Sequence, residues 1–266
     1  MKPDVRTISF VKASACGNDF LLIDAALAPP NIGEFTRRIC DRHEGVGADG
    51  VEWMSPHFSA DIEIKLINAD GSQAEISGNG TRCVAAYICA TRGKERISIL
   101  TGAGTKICAL TGRRDMEYEF EIEMGKAVVD PELALRVGTG EVRGIPVSMG
   151  NPHCVIFVPQ FADDWREQAA RIQRLPHFKE GMNVEFVTAN GLHDIGVRFF
   201  ERGVGETQSS GTGSCASAAA AMATGHAESP VRVHAPGGVQ TVRKQGENIF
   251  LRGPARLICR GEFCLD

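Results

Sequence analysis

The feature that most limits what this 266-residue chain can become is that it repeats itself. Ser77-Gly78-Asn79-Gly80-Thr81 and Ser210-Gly211-Thr212-Gly213-Ser214 lie 133 positions apart, and each runs into an alanine-rich stretch, VAAYICATRG and SAAAAMATGH. The same spacing pairs Gly17-Asn18 with Gly150-Asn151, Asp61-Ile62 with Asp194-Ile195, Lys65 with Arg198, and Asn68 with Glu201. One G-x-G match carries little weight, but separated blocks in one register mark a duplicated unit. A single core also stops growing at about 250 residues. The chain therefore reads as two copies of one domain.

Each copy follows the same plan. Stretches such as DIEIKLIN and IGVRFFE have the period of two that marks strands. A glycine-rich loop follows, then a helix whose first turn is S-G-N-G-T or S-G-T-G-S. Ala216 to Ala223 is small and apolar nearly all round, so it belongs inside its domain; Val84 to Ala90 reads as buried helix too. ISILTGAGTKICAL, EYEFEIEMG and IPVSMGNPHCVIFV are also strand-like. The expectation is an α+β fold of two pseudo-symmetric domains, each a mostly antiparallel sheet or barrel around a central helix, with the active site in the cleft between them. The expected domains are residues 1–122, completed by a strand at 256–266, and residues 123–255.

Composition narrows the function. A chain 43% hydrophobic and 23% charged folds rather than staying disordered. Lys+Arg number 29 against 33 Asp+Glu, with no basic run, so nucleic acid is not an expected partner. No 18 apolar residues run together, and Met1 to Gly17 scatters charge among short apolar stretches. That segment reads as a first strand, no membrane partner is expected, and a cytoplasmic location is. Nine cysteines, an odd count without C-x-x-C, predict free thiols and no structural zinc. No metal-ligand cluster or dinucleotide fingerprint is present, so no metal, nicotinamide, flavin or pyridoxal phosphate is implied.

Glycine gathers in GVGADG (45 to 50), GSQAEISGNG (71 to 80), GVGETQSSGTG (203 to 213) and Gly237-Gly238, where it permits positive φ or close approach to a ligand. The first and last of these read equally well as tight turns. Ser77 and Ser210 head the two helices, where free N–H groups and the positive end of the dipole attract an anion. An isolated serine there is an ordinary N-cap; duplication in register points beyond capping. A small ligand between two such helix starts meets one matching side chain on each face, which suits two-base chemistry at a stereocentre. The polar set around the loops is Asn18, Asn68, Asn79, Asn151, Asn183, Glu201 and Arg202. Amides, one carboxylate and one guanidinium can grip an amino acid by its carboxylate and ammonium groups. His153 is a candidate proton partner beside Asn151.

The runs GNDFLLID (17 to 24), RHEGVGADGV (42 to 51), NADGSQAEISGNGTRC (68 to 83), SMGNPHCVIFV (148 to 158), MNVEFV (182 to 187) and ERGVGETQSSGTGSCA (201 to 216) closely resemble the diaminopimelate epimerase family, in the family's order and over nearly the whole chain. The resemblance implies a cofactor-independent enzyme, often a homodimer, that epimerises LL-diaminopimelate to meso-diaminopimelate in the lysine and peptidoglycan-precursor pathway. It implies binding roles for Asn18, Asn68, Gly78, Asn79, Asn151, Asn183, Glu201, Arg202, Gly211 and Thr212. It also implies that His153 and Glu201 tune the proton-transfer groups.

The resemblance puts catalytic cysteines, heading C-G-N-G and C-G-T-G, where this chain has Ser77 and Ser210, and in some members a substrate-contacting Gln at Gly50. A cysteine near pKa ~8.5 alternates between base and acid near neutrality, which a serine hydroxyl does not readily do. Each unit of mismatch costs about 1.4 kcal/mol, so a shortfall of roughly four units removes about four powers of ten in rate. Cys83 and Cys215 offer no obvious substitute. Three readings stand: an epimerase with Ser77 and Ser210 in the catalytic positions; a related isomerase using Asp70, Glu75, Glu201 or His153 as proton carriers; or a non-catalytic amino-acid-binding protein. The first is preferred, because a protein freed from the substrate has no physical need to keep Asn68, Asn183, Glu201 and Arg202 beside both anion-binding loops. In it, one loop's group removes the α-proton, the other protonates the opposite face, and the helix starts stabilise the carbanion-like transition state.

Overall fold

The computed structural model describes residues 6–138, 140–178 and 181–265. Two compact units are present, Met1–Ile122 with Gly253–Asp266, and Glu123–Arg252. Met1 to Val5 of the expected first strand and Asp266 of the expected closing strand lie outside the described residues.

The first unit contains β1 (Thr7–Ala15), β2 (Asn18–Asp24), α1 (Ile32–Cys40), β3 (Gly50–Ser55), β4 (Ile62–Asn68), β5 (Gln73–Ala74), α2 (Gly78–Arg92), β6 (Arg96–Thr101), β7 (Gly104–Arg114) and most of β8 (Glu117–Lys126). The second contains β9 (Val128–Val129), β10 (Leu133–Val137), β11 (Gly140–Ser148), β12 (Pro152–Phe157), α3 (Trp165–Gln173), β13 (Asn183–Gly191), β14 (Asp194–Glu201), β15 (Gly205–Thr207), α4 (Gly211–Ala223), β16 (Val231–Ala235), β17 (Gly238–Gln245) and the start of β18 (Asn248–Cys264), whose remainder belongs to the first unit. The fold is α+β and mostly sheet.

In the first unit, β1 pairs antiparallel with β2 and β18, β2 runs parallel to β3, β3 antiparallel to β4, and β4 parallel to β6. The antiparallel pairs β6 with β7 and β7 with β8, and the pairing of β8 with β18, close eight strands into a barrel. Inside it lies α2, with Cys83, Val84, Ala85, Ala86 and Ile88 all at 0% exposure. Burying a side chain such as Val84 or Ile88 contributes about 1.5–3 kcal/mol. The helix ends at Gly93, whose φ of 66° is the left-handed conformation that glycine adopts without strain. The helix α1 covers the opposite face, where Phe35 and Ile39 pack with Val51 and Trp53 of β3.

The second unit repeats the plan. Its parallel pairs, β12 with β13 and β14 with β16, match β2 with β3 and β4 with β6. Alternation assigns the strand faces: Val155, Val187 and Phe199 pack with α4, while Ile156, Val184 and Phe186 pack with α3. Alanines on every side let α4 fit among strands that surround it. The spacing of 133 holds even where the sequences are unlike, since β1 and β11, and α1 and α3, begin and end 133 residues apart. All nine cysteines are free thiols.

Candidate active site

The start of α2 is organised by Ser77. Its extended backbone, φ −120° and ψ 122°, turns the chain into the helix, and its Oγ accepts from Gly80 N at 3.1 Å. Next to it, buried Asn79 donates to Asn18 Oδ1 at 3.4 Å and accepts from buried Arg82. The Asn18 amide is fixed from its other end, because its Nδ2 donates to Asp49 Oδ2 at 2.6 Å. Arg42 bridges Asp49 and Asp19, at 2.8 Å to each, and Lys12 reaches Asp19 at 3.0 Å. Burial works against the Asp19 charge, but Arg42 and Lys12 hold its carboxyl below the usual carboxylate range. Asn68 closes β4 opposite Gly50 and donates to Ser72 Oγ at 3.1 Å, in a turn that also engages Asp70. Glu75 is exposed on the approach to α2.

The start of α4 has the same frame. Ser210, 7% exposed, has φ −137° and ψ 128° and accepts from Gly213 N at 3.2 Å. Asn151 Nδ2 donates to Thr212 Oγ1 at 3.3 Å, the counterpart of the Asn79–Asn18 contact. Beyond it the halves diverge. His153 Nε2 donates to Asn151 Oδ1 at 3.1 Å, and His153 Nδ1 lies 2.7 Å from Glu185 Oε1. Burial pushes the Glu185 carboxyl up, His153 opposes the rise, and the Glu201 charge adds to it. Asn183 spends its amide on the backbone, donating to Pro152 O at 2.9 Å and accepting from Arg202 N at 2.9 Å. Glu201 accepts from Thr207 at 2.9 Å, and the Arg202 side chain is exposed.

Asn18, Ser77 and Asn79 thus converge at one helix start, and Asn151, His153, Ser210 and Thr212 at the other. Asn183 instead ties the start of β12 to the end of β14, and Asn68 belongs to its own turn. Sequence reasoning missed the two buried carboxyls, Glu52 and Glu185, and the Arg42–Asp49 support of Asn18. Glu52 is fully buried with no hydrogen-bond partner for either oxygen among the described residues, and burial pushes it up to about 8. A Cβ on Gly80 would overlap Glu52 Oε1, and a Cβ on Gly213 would stand 2.9 Å from Glu185 Oε1. The second glycine of each S-G-x-G therefore leaves room for a carboxyl under the helix. The signal was available, since Glu52 and Glu185 are also 133 apart.

This arrangement can hold an anion at each helix start, orient it with fixed amides, and keep protons beneath it. The fold is shared with a hydroxyproline epimerase from Agrobacterium vitis, at TM-score 0.74 and 16% identity over 100% of this chain and 94% of that one. It is shared also with a phenazine biosynthesis protein of the PhzF family from Bacillus anthracis, at TM-score 0.72 and 17% identity over 97% and 99%. In sequence the chain is 36% identical to the diaminopimelate epimerase of Pelotomaculum thermopropionicum over 96% of this chain and 98% of that one. It is 34% identical to the diaminopimelate epimerase of Desulfitobacterium hafniense over 97% and 99%. The matched family and the relatives together define an amino-acid epimerase. The chain belongs to the diaminopimelate epimerase family, whose model matches residues 10–129 and 145–258.

Proposed function

We propose that the protein converts LL-diaminopimelate to meso-diaminopimelate without a cofactor, moving the α-proton between the groups at positions 77 and 210. The observation that carries this reading is the near-complete match to relatives named as diaminopimelate epimerases. In it, the helix starts at Ser77 and Ser210 bind and polarise the reacting carboxylate, through the N–H groups of Gly78, Asn79, Gly211 and Thr212. The side chains of Asn18 and Asn151, each fixed at both ends, orient the ligand, with Asn68, Asn183, Glu201 and Arg202 as further contacts. One group takes the α-hydrogen as a proton, the electron pair passes into the carboxylate, and the other group returns a proton to the opposite face of the carbon. His153 and Glu201 tune that exchange. A cytoplasmic homodimer belongs to the same reading, and sedimentation tests the dimer.

Serine at both positions favours one second reading, a protein that binds the amino acid without turning it over. Both hydroxyls already serve as caps, accepting from Gly80 N and Gly213 N. One experiment separates the two: incubation with a single diaminopimelate stereoisomer in deuterium oxide, with the α-hydrogen followed by NMR. Cofactor-free exchange supports the epimerase. Saturable binding without exchange, with exchange restored by Ser77→Cys plus Ser210→Cys, supports the silenced site. A double variant that neither binds nor exchanges diaminopimelate overturns the substrate assignment.

A further inference from the structure

We propose that Glu52 is a proton-holding positioning residue of the α2 half-site, whose proton keeps that helix start able to take an anion. The inference deepens the reading above and rests on its assignment of the α2 start to anion binding. On β3, Val51 and Trp53 face α1, so Glu52 faces the other way, toward α2. Its register neighbours are Leu22 on β2 and Leu66 on β4, neither of which offers a hydrogen bond. The site of a Cβ on Gly80 would overlap Glu52 Oε1 and lie 3.3 Å from Ser77 Cβ. The carboxyl is therefore wedged beneath the first turn of α2, next to the serine that caps it.

Charged and titratable groups around this turn include those of α2 and of the β1–β2 hairpin, and the buried Cys108 thiol of β7, which also feels Arg82. On α2, burial pushes the Cys83 thiol up; Arg82 lowers it, and Glu52, Cys16 and Asp19 raise it. Burial raises Cys16 as well, against the pull of Arg82. Arg82 itself is engaged by Asn79 Oδ1 and by Pro254 O at 3.2 Å. Neither Glu52 oxygen is hydrogen-bonded to any described residue. An ionised carboxylate left unpaired in such a place is costly. It would also set a negative charge under the N–H groups that must receive the anion, and like charges this close disfavour each other. Binding the anion and losing the Glu52 proton therefore oppose each other.

The α4 half-site solves the same problem differently. Glu185 shares a proton with His153 through Oε1, although its Oε2 is unpartnered. At the position equivalent to His153 the first copy has Phe20, 133 residues earlier. Glu52 thus keeps its proton alone, and the α2 half-site should lose its anion as the pH rises past about 8.

The test is calorimetric titration of the full chain with meso-diaminopimelate and, separately, with sulfate, from about pH 6 to about pH 10, for the wild type, Glu52→Gln and Glu52→Met. Above about pH 8 the wild type should lose affinity by up to roughly tenfold per pH unit relative to either variant. The comparison between proteins removes the titration of the amino acid's own amines. Carboxyl 13C NMR of glutamate-labelled wild type, assigned with whichever variant folds, should show one carboxyl titrating near the same pH. Sulfate binding without diaminopimelate binding overturns the substrate reading while the sulfate profile still decides the role of Glu52. Parallel wild-type and variant profiles, no sulfate binding and no diaminopimelate binding, or a Glu52 midpoint in the ordinary carboxylate range each overturn the proposal.

Discussion

His153 Nδ1 and Glu185 Oε1 lie 2.7 Å apart, and neither residue is more than 1% exposed. Removing one member of such a pair leaves the other buried alone, which costs about 3–5 kcal/mol. His153→Ala should approach that figure in urea unfolding. Glu185→Gln keeps a neutral hydrogen bond to the ring and should cost about 1 kcal/mol. The opposite order of stabilities would show that the pair does not stabilise the second unit.

The close approach of buried carboxyls to Gly80 and Gly213 makes both positions intolerant of any side chain. Overpacking typically costs about 1–3 kcal/mol, and Gly80→Ala should lie at or above the top of that range. Gly213→Ala meets Glu185 Oε1 at 2.9 Å and the Phe199 ring at 2.9 Å, and should also destabilise. Combining Gly80→Ala with Glu52→Ala should recover part of the loss. A double-mutant cycle with a coupling below about 0.5 kcal/mol would contradict the contact.

Glu52 also predicts a dependence of stability on pH. Its carboxyl moves from the ordinary 4.5 up to about 8 on folding, so the unfolded chain releases the proton first. Stability is complete below 4.5 and falls between 4.5 and about 8, with a slope of about 1.4 kcal/mol per pH unit. Glu52→Gln removes that slope. Unfolding free energies of wild type and variant, compared at about pH 5 and about pH 8, should therefore differ by changing amounts; a constant difference would mean that Glu52 titrates normally.

Activity and stability should move in opposite directions when cysteine replaces the two serines. A thiol is a weaker acceptor than a hydroxyl, and each lost N-cap costs about 1 kcal/mol. The same thiols bring the proton-transfer groups nearer to neutrality, with a gain of up to about four powers of ten in α-proton exchange. Urea unfolding and deuterium exchange on the Ser77→Cys, Ser210→Cys double variant measure both. Unchanged exchange in a variant that binds diaminopimelate would remove positions 77 and 210 from the proton path.

Much of the site can be read from residue types and their spacing. The S-G-x-G pairs, Asn18 with Asn151, and the helices behind them declare themselves because a helix start has a local signature and a duplication shows it twice. Asn183 carries no such signature. It joins the polar set around the loops on residue type and on resemblance, and in the fold its amide is taken up by Pro152 O and Arg202 N. Glu52 and Glu185 were overlooked for a different reason. In a strand, a polar residue at period two ordinarily marks the solvent face, and GVEWMS fits that pattern.

By itself the sequence determined the duplication, the α+β class, the capped helix starts and the family, since these depend on local preferences and on matching residue types. Only the tertiary structure decided which polar residues lose contact with water. β3 and β13 run beside parallel neighbours and are covered on both faces, by α1 and α2 in one unit and by α3 and α4 in the other. A carboxyl that a one-sided sheet would leave in water is therefore buried against a helix. Burial is a property of everything packed around a residue, and no window of neighbouring letters contains it.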